Sequence, residues 1–296
     1  MMKLRIAVVD AGTNSFLLLI AEKLNDHLHY LLDISTVVGL GHLKNGVIDD
    51  EALRRAQNVI NTYHKLCDKY KVDKRVMVGT EIFRKVDKKY FRGLSEKFDE
   101  SMVLSGLEEA KLSYLSVIGD DKFSRLTNPI VVDIGGGSVE FAYNGKTFTA
   151  QTFPLGAAVL TDKFVNSYPI GDQLNRATEL LRDAFNTIPK NRNIVAIGGT
   201  GTTVTDLIDE KPFDPERVHG RFLKIEDVKT LYNNLCAMDL DMLSKLEGME
   251  EGREKIIAAG VLILIQAVKM TNSKGCFVSV RGHRYTIAKN IANSKR

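Results

Sequence analysis

The chain has 296 residues, 44% of them hydrophobic, and its 41 basic and 37 acidic side chains leave a formal charge of +4. That length supplies two domains of ordinary size with a core each. This slight basic bias suits an anionic substrate but is far too small to argue nucleic-acid binding by itself. Three widely spaced cysteines, Cys67, Cys236 and Cys276, offer neither a disulfide framework nor a thiolate metal site. They suit a reducing, cytoplasmic compartment. No basic-then-apolar leader precedes the first strand. The longest apolar stretch, Ile256 to Val268, is broken by Gly260 and Gln266, so it reads as a buried helix and no membrane partner is expected.

In chain order, Leu4 to Val9 reads as a strand, Phe16 to Ala21 as its hairpin partner and His29 to Ile34 as a third strand. Val37 to Gly46 is glycine-punctuated and reads as a loop. Asp49 or Asp50 then caps a helix to about Tyr70 with Leu53, Ala56, Val59, Ile60 and Tyr63 on one face. Arg75 to Gly79 returns as a strand, Thr80 to Arg84 opens a helix, and Ser101 to Leu104 is a short strand. The S-x-x-E spacing from Ser105 to Glu108 predicts a capping box, opening a helix whose apolar side is Leu107, Ala110, Tyr114 and Leu115. Glu108 thereby has a structural task, and Glu109 is left without one. Gly119 to Pro129 is polar and reads as a linker, dividing the chain into residues 1–122 and 123–296.

The second half predicts strands at 130–133, 139–143 and 146–152, then a helix from about Gly171 to Asn186. A buried strand from Asn193 to Ile197 runs into Gly198-Gly199-Thr200-Gly201-Thr202-Thr203. Helices over Ile225 to Leu246 and Glu251 to Met270, a strand from Cys276 to Val280 and a terminal helix complete the chain.

Chemistry concentrates in residues 131–140, Val-Val-Asp-Ile-Gly-Gly-Gly-Ser-Val-Glu. Glycines let a turn present successive backbone N–H groups to an anion with no Cβ in the way. The flanking carboxylates Asp133 and Glu140 would repel phosphate unless a hard cation such as Mg²⁺ or Mn²⁺ stood between them. Locally the same stretch also reads as a plain β-hairpin with Asp133 as turn former. A second copy in the frame V-V-D-x-G-x-x-S-apolar occurs at Val8 to Phe16. Such an internal duplication, two lobes each with a phosphate-type hairpin facing a shared cleft, is the layout of the actin-like phosphotransfer fold. The expected class is therefore α/β, two actin-like (ribonuclease H-like) lobes of mixed sheet flanked by helices.

Five stretches together carry a more specific resemblance: D-A-G-T-N-S-F at 10–16, G-T-E-I-F-R at 79–84, S-G-L-E-E-A at 105–110, V-D-I-G-G-G-S-V-E at 132–140 and G-G-T-G-T at 198–202. In this order they resemble the Ppx/GppA family of exopolyphosphatases and guanosine pentaphosphate phosphohydrolases, in its short form. The resemblance implies metal-dependent hydrolysis of a terminal phosphoanhydride bond of inorganic polyphosphate or guanosine pentaphosphate, in a homodimer that takes no nucleic acid. It makes Glu109 the general base for an attacking water. The residues alone also allow a solvated glutamate near a helix N-terminus. Asp133, Glu140 and Asp10 would hold Mg²⁺ or Mn²⁺. Gly12, Thr13, Asn14 and Ser15 on one side, and Gly135, Gly136, Gly137 and Ser138 on the other, would bind phosphates. Arg84 matches the arginine of the family's G-T-x-x-x-R run and could clamp a phosphate bidentately, or is a surface helix arginine. Gly199 and Thr200 lie on the substrate path or form a close strand-to-helix turn.

The chain also departs from the family. Leu18 stands where a basic or histidine residue is frequent, which removes a polar group from the cleft, and Val38 stands where an arginine is expected. The family's S-D-x-x-[LI]-R-E-G stretch reads Ser279-Val280-Arg281-Gly282-His283-Arg284-Tyr285-Thr286, so Val280 and Tyr285 replace two acids. These departures keep one rival in view, a weakly catalytic sensor that binds polyphosphate or guanosine tetraphosphate; a separate rival is an actin-like kinase that transfers phosphate from ATP to a small molecule. No histidine pair has metal-ligand spacing, and a histidine-ligated metal is not expected.

Overall fold

The computed structural model describes residues 3–25, 27–41, 43–44 and 47–294. The chain forms two compact units, Met1–Leu112 with His283–Arg296, and Ser113–Gly282.

The first unit is a five-stranded mixed sheet. A meander of β1 (Lys3–Ala11), β2 (Ser15–Leu24) and β3 (His27–Val37) is followed by a two-stranded ribbon of β4 (Leu43–Lys44) and β5 (Val47–Ile48). Helix α1 (Asp50–Lys69), β6 (Lys74–Gly79), α2 (Glu81–Lys85), α3 (Lys88–Ser95), β7 (Glu100–Val103) and α4 (Gly106–Ile118) follow. The strand order is β3-β2-β1-β6-β7, with β6 parallel to β1 and to β7. Strand side chains alternate between faces, so the unbroken apolar run of β1 requires cover on both. One face, with Ala7, Val9, Phe16, Leu18 and Ile20, packs with Ala52, Ala56, Ile60, Tyr63 and Cys67 of α1. The other, with Ile6, Val8, Leu19, Val76 and Val78, packs with Tyr285, Ile287, Ala288 and Ala292.

The second unit has the meander β8 (Ile130–Ile134), β9 (Val139–Asn144) and β10 (Phe148–Phe153), then α5 (Ala157–Phe164), α6 (Asn175–Ala184), β11 (Ile194–Ile197) and α7 (Gly198–Asp209). It continues with α8 (Pro215–Val218), β12 (Phe222–Lys224), α9 (Ile225–Ala237), α10 (Leu240–Ser244), α11 (Ile257–Met270) and β13 (Gly275–Ser279). The strand order is β10-β9-β8-β11-β13-β12. Helix α11 is apolar on every side except at Gln266 and is buried from Ile257 to Val268, as a core helix must be. The last helix, α12 (His283–Asn293), belongs to the first unit.

Four expectations are corrected. The predicted loop at 37–46 gives way to strand at Val37 and to the β4–β5 ribbon, and residues 42, 45 and 46 of that stretch lie outside the described residues. On α4, Leu107 is 59% exposed, and the buried side chains are Ala110, Ser113, Tyr114 and Val117. The single helix at 225–246 breaks at Asp239, whose carboxylate accepts the Met242 amide at 2.8 Å and starts α10. Gly119 to Pro129 is no linker. Asp120 and Phe123 are buried there, and Asp120 Oδ2 accepts from His219 Nε2 at 3.0 Å and from Arg281 Nη1 at 2.6 Å. Of its polar side chains only Asp120 is buried, and the division falls at 112/113 and 282/283 instead of 122/123.

Candidate functional site

In the first unit, β1 carries Asp10 to its end, between Leu17 of β2 and Val78 of β6. The Gly12 amide donates to Ser15 O at 3.1 Å and closes the turn. Residues 38–40 strap it from outside, the Val38 and Gly39 amides donating to Asn14 O at 2.7 and 2.8 Å and the Leu40 amide to Thr13 O at 2.8 Å. In a trans peptide the next N–H points opposite to the carbonyl. The Asn14 and Ser15 amides therefore point away from the strap, as a pair of outward donors.

Asp10 is 8% exposed. Its Oδ1 is buried with no hydrogen-bond partner among the described residues, and its Oδ2 lies 3.2 Å from His283 Nε2, the first residue of α12. Burial alone would push the His283 imidazole down, but the charges of Asp10 and Glu109 outweigh it and hold its pKa above the ordinary value. His283 is a site residue that sequence reasoning passed over. The available signal was a histidine at the position where the family motif has Leu or Ile.

Glu109 is placed by the start of α4. The capping box forms as the spacing predicts: Ser105 N and Oγ donate to Glu108 Oε2 at 2.8 and 2.7 Å, and the Glu108 amide donates back to Ser105 Oγ at 3.2 Å. These bonds hold the Glu108 carboxyl below its ordinary pKa. With Glu108 so engaged, Glu109 Oε2 accepts from Arg84 Nη1 at 2.9 Å, and the same nitrogen donates to Leu104 O at 2.7 Å. Arg84 belongs to α2, whose start is tied to the end of β1 by the Thr80 amide donating to Ala11 O at 3.2 Å. The structure thus brings Asp10, His283, Glu109 and Arg84 into one polar neighbourhood of the first unit.

In the second unit, Asp133 of β8 stands directly opposite Glu140 of β9 and beside Ile197 of β11. Residues opposite each other in an antiparallel ladder share a face. Gly198 has φ +80°, and a Cβ there would lie 2.6 Å from Asp133 Oδ1, so the carboxylate rests against a position only glycine can fill. The turn between the strands hands its carbonyls to the first turn of α5. The Ala157 amide donates to Gly135 O at 2.9 Å, that of Ala158 to Gly136 O at 2.9 Å and that of Gly156 to Gly137 O at 3.3 Å. By the same trans-peptide geometry the amides of Gly136, Gly137 and Ser138 point away from α5, as a row of donors suited to phosphate.

Thr200 is 2% exposed and donates its hydroxyl to Ile134 O at 3.0 Å. Its side chain fastens α7 to the end of β8. Gly199 is covered by the Arg253 guanidinium, which takes the space a Cβ would need. Arg253, held by Glu250, had no local motif to mark it. Asp133 and Glu140 supply hard carboxylate oxygens on one face and fit Mg²⁺, which keeps several waters and takes one or two carboxylates plus phosphate oxygens. Asp10, with its partnerless Oδ1, fits the same chemistry. No group of three or more His, Cys, Asp or Glu able to hold a metal occurs among the described residues, so waters and phosphate oxygens would complete the shell.

The departures have structural reasons. Leu18 removes nothing from a polar site, because β2 turns its side chain into the core beside Phe16 and Ile20. Val38 is also core, and Arg55 of α1 donates from Nε to its carbonyl at 3.0 Å, which brings a guanidinium to the strap by another route. Arg284 Nη2 lies 2.7 and 2.9 Å from the two oxygens of Asp33, and Tyr285 Oη donates to the same carboxylate. An acid from β3 thus partners the arginine where the family motif has an acid next door.

A family model described as the Ppx/GppA phosphatase family matches residues 19–290. Among curated proteins, the chain is 26% identical to Exopolyphosphatase 2 of Mycobacterium tuberculosis, over 88% of each chain. It is 29% identical to the Bifunctional 3-dehydroquinate synthase/phosphatase of Fusobacterium nucleatum, over 87% of this chain but only 42% of that one. It is 24% identical to a Guanosine-5'-triphosphate,3'-diphosphate pyrophosphatase of Pseudoalteromonas translucida, over 88% of this chain and 53% of that one. The crystal structure of the Aquifex aeolicus Ppx/GppA family member superposes with a TM-score of 0.86 at 25% identity, covering 99% of this chain and all of the other. The fold is accordingly that of two actin-like units of mixed sheet and helix, and the chain belongs to the Ppx/GppA phosphatase family.

Proposed function

We propose that this protein hydrolyses the terminal phosphoanhydride bond of inorganic polyphosphate or of the 5′-γ-phosphate of guanosine pentaphosphate. The observation that carries the reading is Glu109: Glu108 takes the capping duty, and Arg84 aims the Glu109 carboxylate at 2.9 Å. In this reading Glu109 accepts the proton of the attacking water, the standard task of a positioned carboxylate in phosphoryl transfer. The outward amides of the two glycine turns hold the phosphate oxygens, and Thr200 keeps the Gly199 turn in place. Asp133 and Glu140, with Asp10, would hold Mg²⁺ or Mn²⁺, which when bound offsets the charge developing on the phosphate oxygens. The named activities of the relatives, an exopolyphosphatase and a guanosine-5'-triphosphate,3'-diphosphate pyrophosphatase, support the two substrate classes.

Phosphate release from polyphosphates of several lengths and from guanosine pentaphosphate, with Mg²⁺, tests the reading. Wild type should release phosphate, and Glu109→Gln should lose about 10²–10⁴-fold in rate, the range for a removed general base. Release by the variant at the wild-type rate would overturn the assignment of the base. Release from neither substrate by wild type would overturn the hydrolase. The three buried free thiols suit a reducing compartment, and no described helix is long and apolar enough to cross a membrane, so the working proposal is a cytoplasmic enzyme. Pairing of two copies is part of the proposal and is checked by sedimentation.

A further inference from the structure

We propose that His283 is a positioning residue for Asp10, fixing which oxygen of that carboxylate is offered to the divalent cation or its water. The inference rests on the reading of Asp10 as a cation ligand. His283 Nε2 is 3.2 Å from Asp10 Oδ2, and both residues are more than nine-tenths buried. Neither His283 Nε2 nor Asp10 Oδ1 has a well-directed hydrogen bond among the described residues. Buried polar atoms without partners are rare because each loses its hydration, and they mark places where a ligand or a function accounts for the loss.

The geometry says what that function is. A carboxylate can rotate about its last bond and exchange its two oxygens. Nε2 stands against Oδ2, which leaves Oδ1 as the oxygen whose lone pairs have no partner among the described residues. His283 opens α12, and Tyr285, Ile287, Ala288 and Ala292 of that helix pack into the sheet under Asp10, so the imidazole is carried on a rigid element. A group that holds a metal ligand from behind orients it, and removing such a group commonly weakens metal binding by 10–100-fold. The family motif has Leu or Ile at this position. This chain therefore has a holder that an aliphatic side chain cannot supply.

The test is calorimetric titration of Mn²⁺ into the substrate-free 296-residue chain, for wild type, His283→Leu, His283→Gln and Asp10→Asn, with thermal melts to confirm folding. His283→Leu should bind Mn²⁺ about 10-fold more weakly. His283→Gln, which keeps a side-chain N–H, should bind close to wild type. Wild-type affinity in His283→Leu, or an equal loss in His283→Gln, would overturn the positioning role. Wild-type affinity in Asp10→Asn, or no Mn²⁺ binding by wild type, would instead overturn the ligand reading beneath it, so the two failures are told apart.

Discussion

Asp133 depends on a neighbour with no side chain. Gly198 is held at φ +80°, and a Cβ would stand 2.6 Å from Asp133 Oδ1. Gly198→Ala therefore meets two costs, the left-handed backbone at about 1–2 kcal/mol and displacement of the carboxylate. Urea denaturation should show the loss of stability, and a titration of activity against Mg²⁺ should shift to higher concentration. Unchanged Mg²⁺ dependence would separate Asp133 from the cation. At this scale the motifs were legible, since glycine and carboxylate spacing is local. His283 and Arg253 were not, because each reaches its partner from a distant part of the chain: His283 from α12 to Asp10, Arg253 from before α11 to Gly199.

Helix α4 shows what an element adds. Its capping box is the reason Glu109 is available, and Ser105→Ala removes the two hydrogen bonds made through Ser105 Oγ while leaving the backbone one to the Glu108 carboxylate. About 1 kcal/mol of stability should be lost, the usual value of an N-cap hydroxyl, visible as a lower urea midpoint. Phosphate release should fall with it, because the turn that carries Glu109 frays. A stability loss with full activity would show that Arg84 alone holds Glu109. The box was readable as S-x-x-E. The face of α4 was not, since Leu107 and Leu115 have the right period but are exposed, while Ala110, Ser113, Tyr114 and Val117 are buried. Periodicity names candidate faces, and packing partners choose among them.

For the whole molecule, the chain order of the units has consequences. Helix α12 covers Ile6, Val8, Leu19, Val76 and Val78 of the first unit. Ending the chain after Gly282 should strip hydrogen-exchange protection from β1, β2 and β6 while β8, β11 and β13 keep theirs. Equal protection in both units would refute this account of the division. The second unit has its own acid limit. Burial would raise the Asp120 carboxyl, but the His219 hydrogen bond, the Lys122 amide and the Arg281 charge outweigh it and hold it below its ordinary value. With the folded pKa depressed, this stabilisation is present above the unfolded value near pH 4 and is lost as pH falls through the folded pKa. Asp120→Asn should lose about 1–3 kcal/mol at neutral pH and flatten the acid limb of a melting-temperature profile. A variant with the wild-type acid limb would place that dependence elsewhere.

The sequence by itself determined the two glycine-carboxylate turns, their duplication, the capping box that sets Glu109 apart from Glu108, and from these the fold class and the family. Each turn and the capping box is written in residues within about ten positions of one another, where backbone geometry and hydrogen-bond reach are fixed by spacing, and the duplication is a likeness between two such local stretches. Only the tertiary structure decided that residues 119–129 hold a buried ion pair instead of a linker, that Leu18 is core, that Asp33 serves Arg284, and that the terminal helix returns to the first unit with His283 against Asp10. The physical reason is the same in each case. A charge or an apolar side chain is settled by the partner that buries it, and those partners lie from about 100 to about 275 residues away along the chain for Asp120, Arg284 and His283.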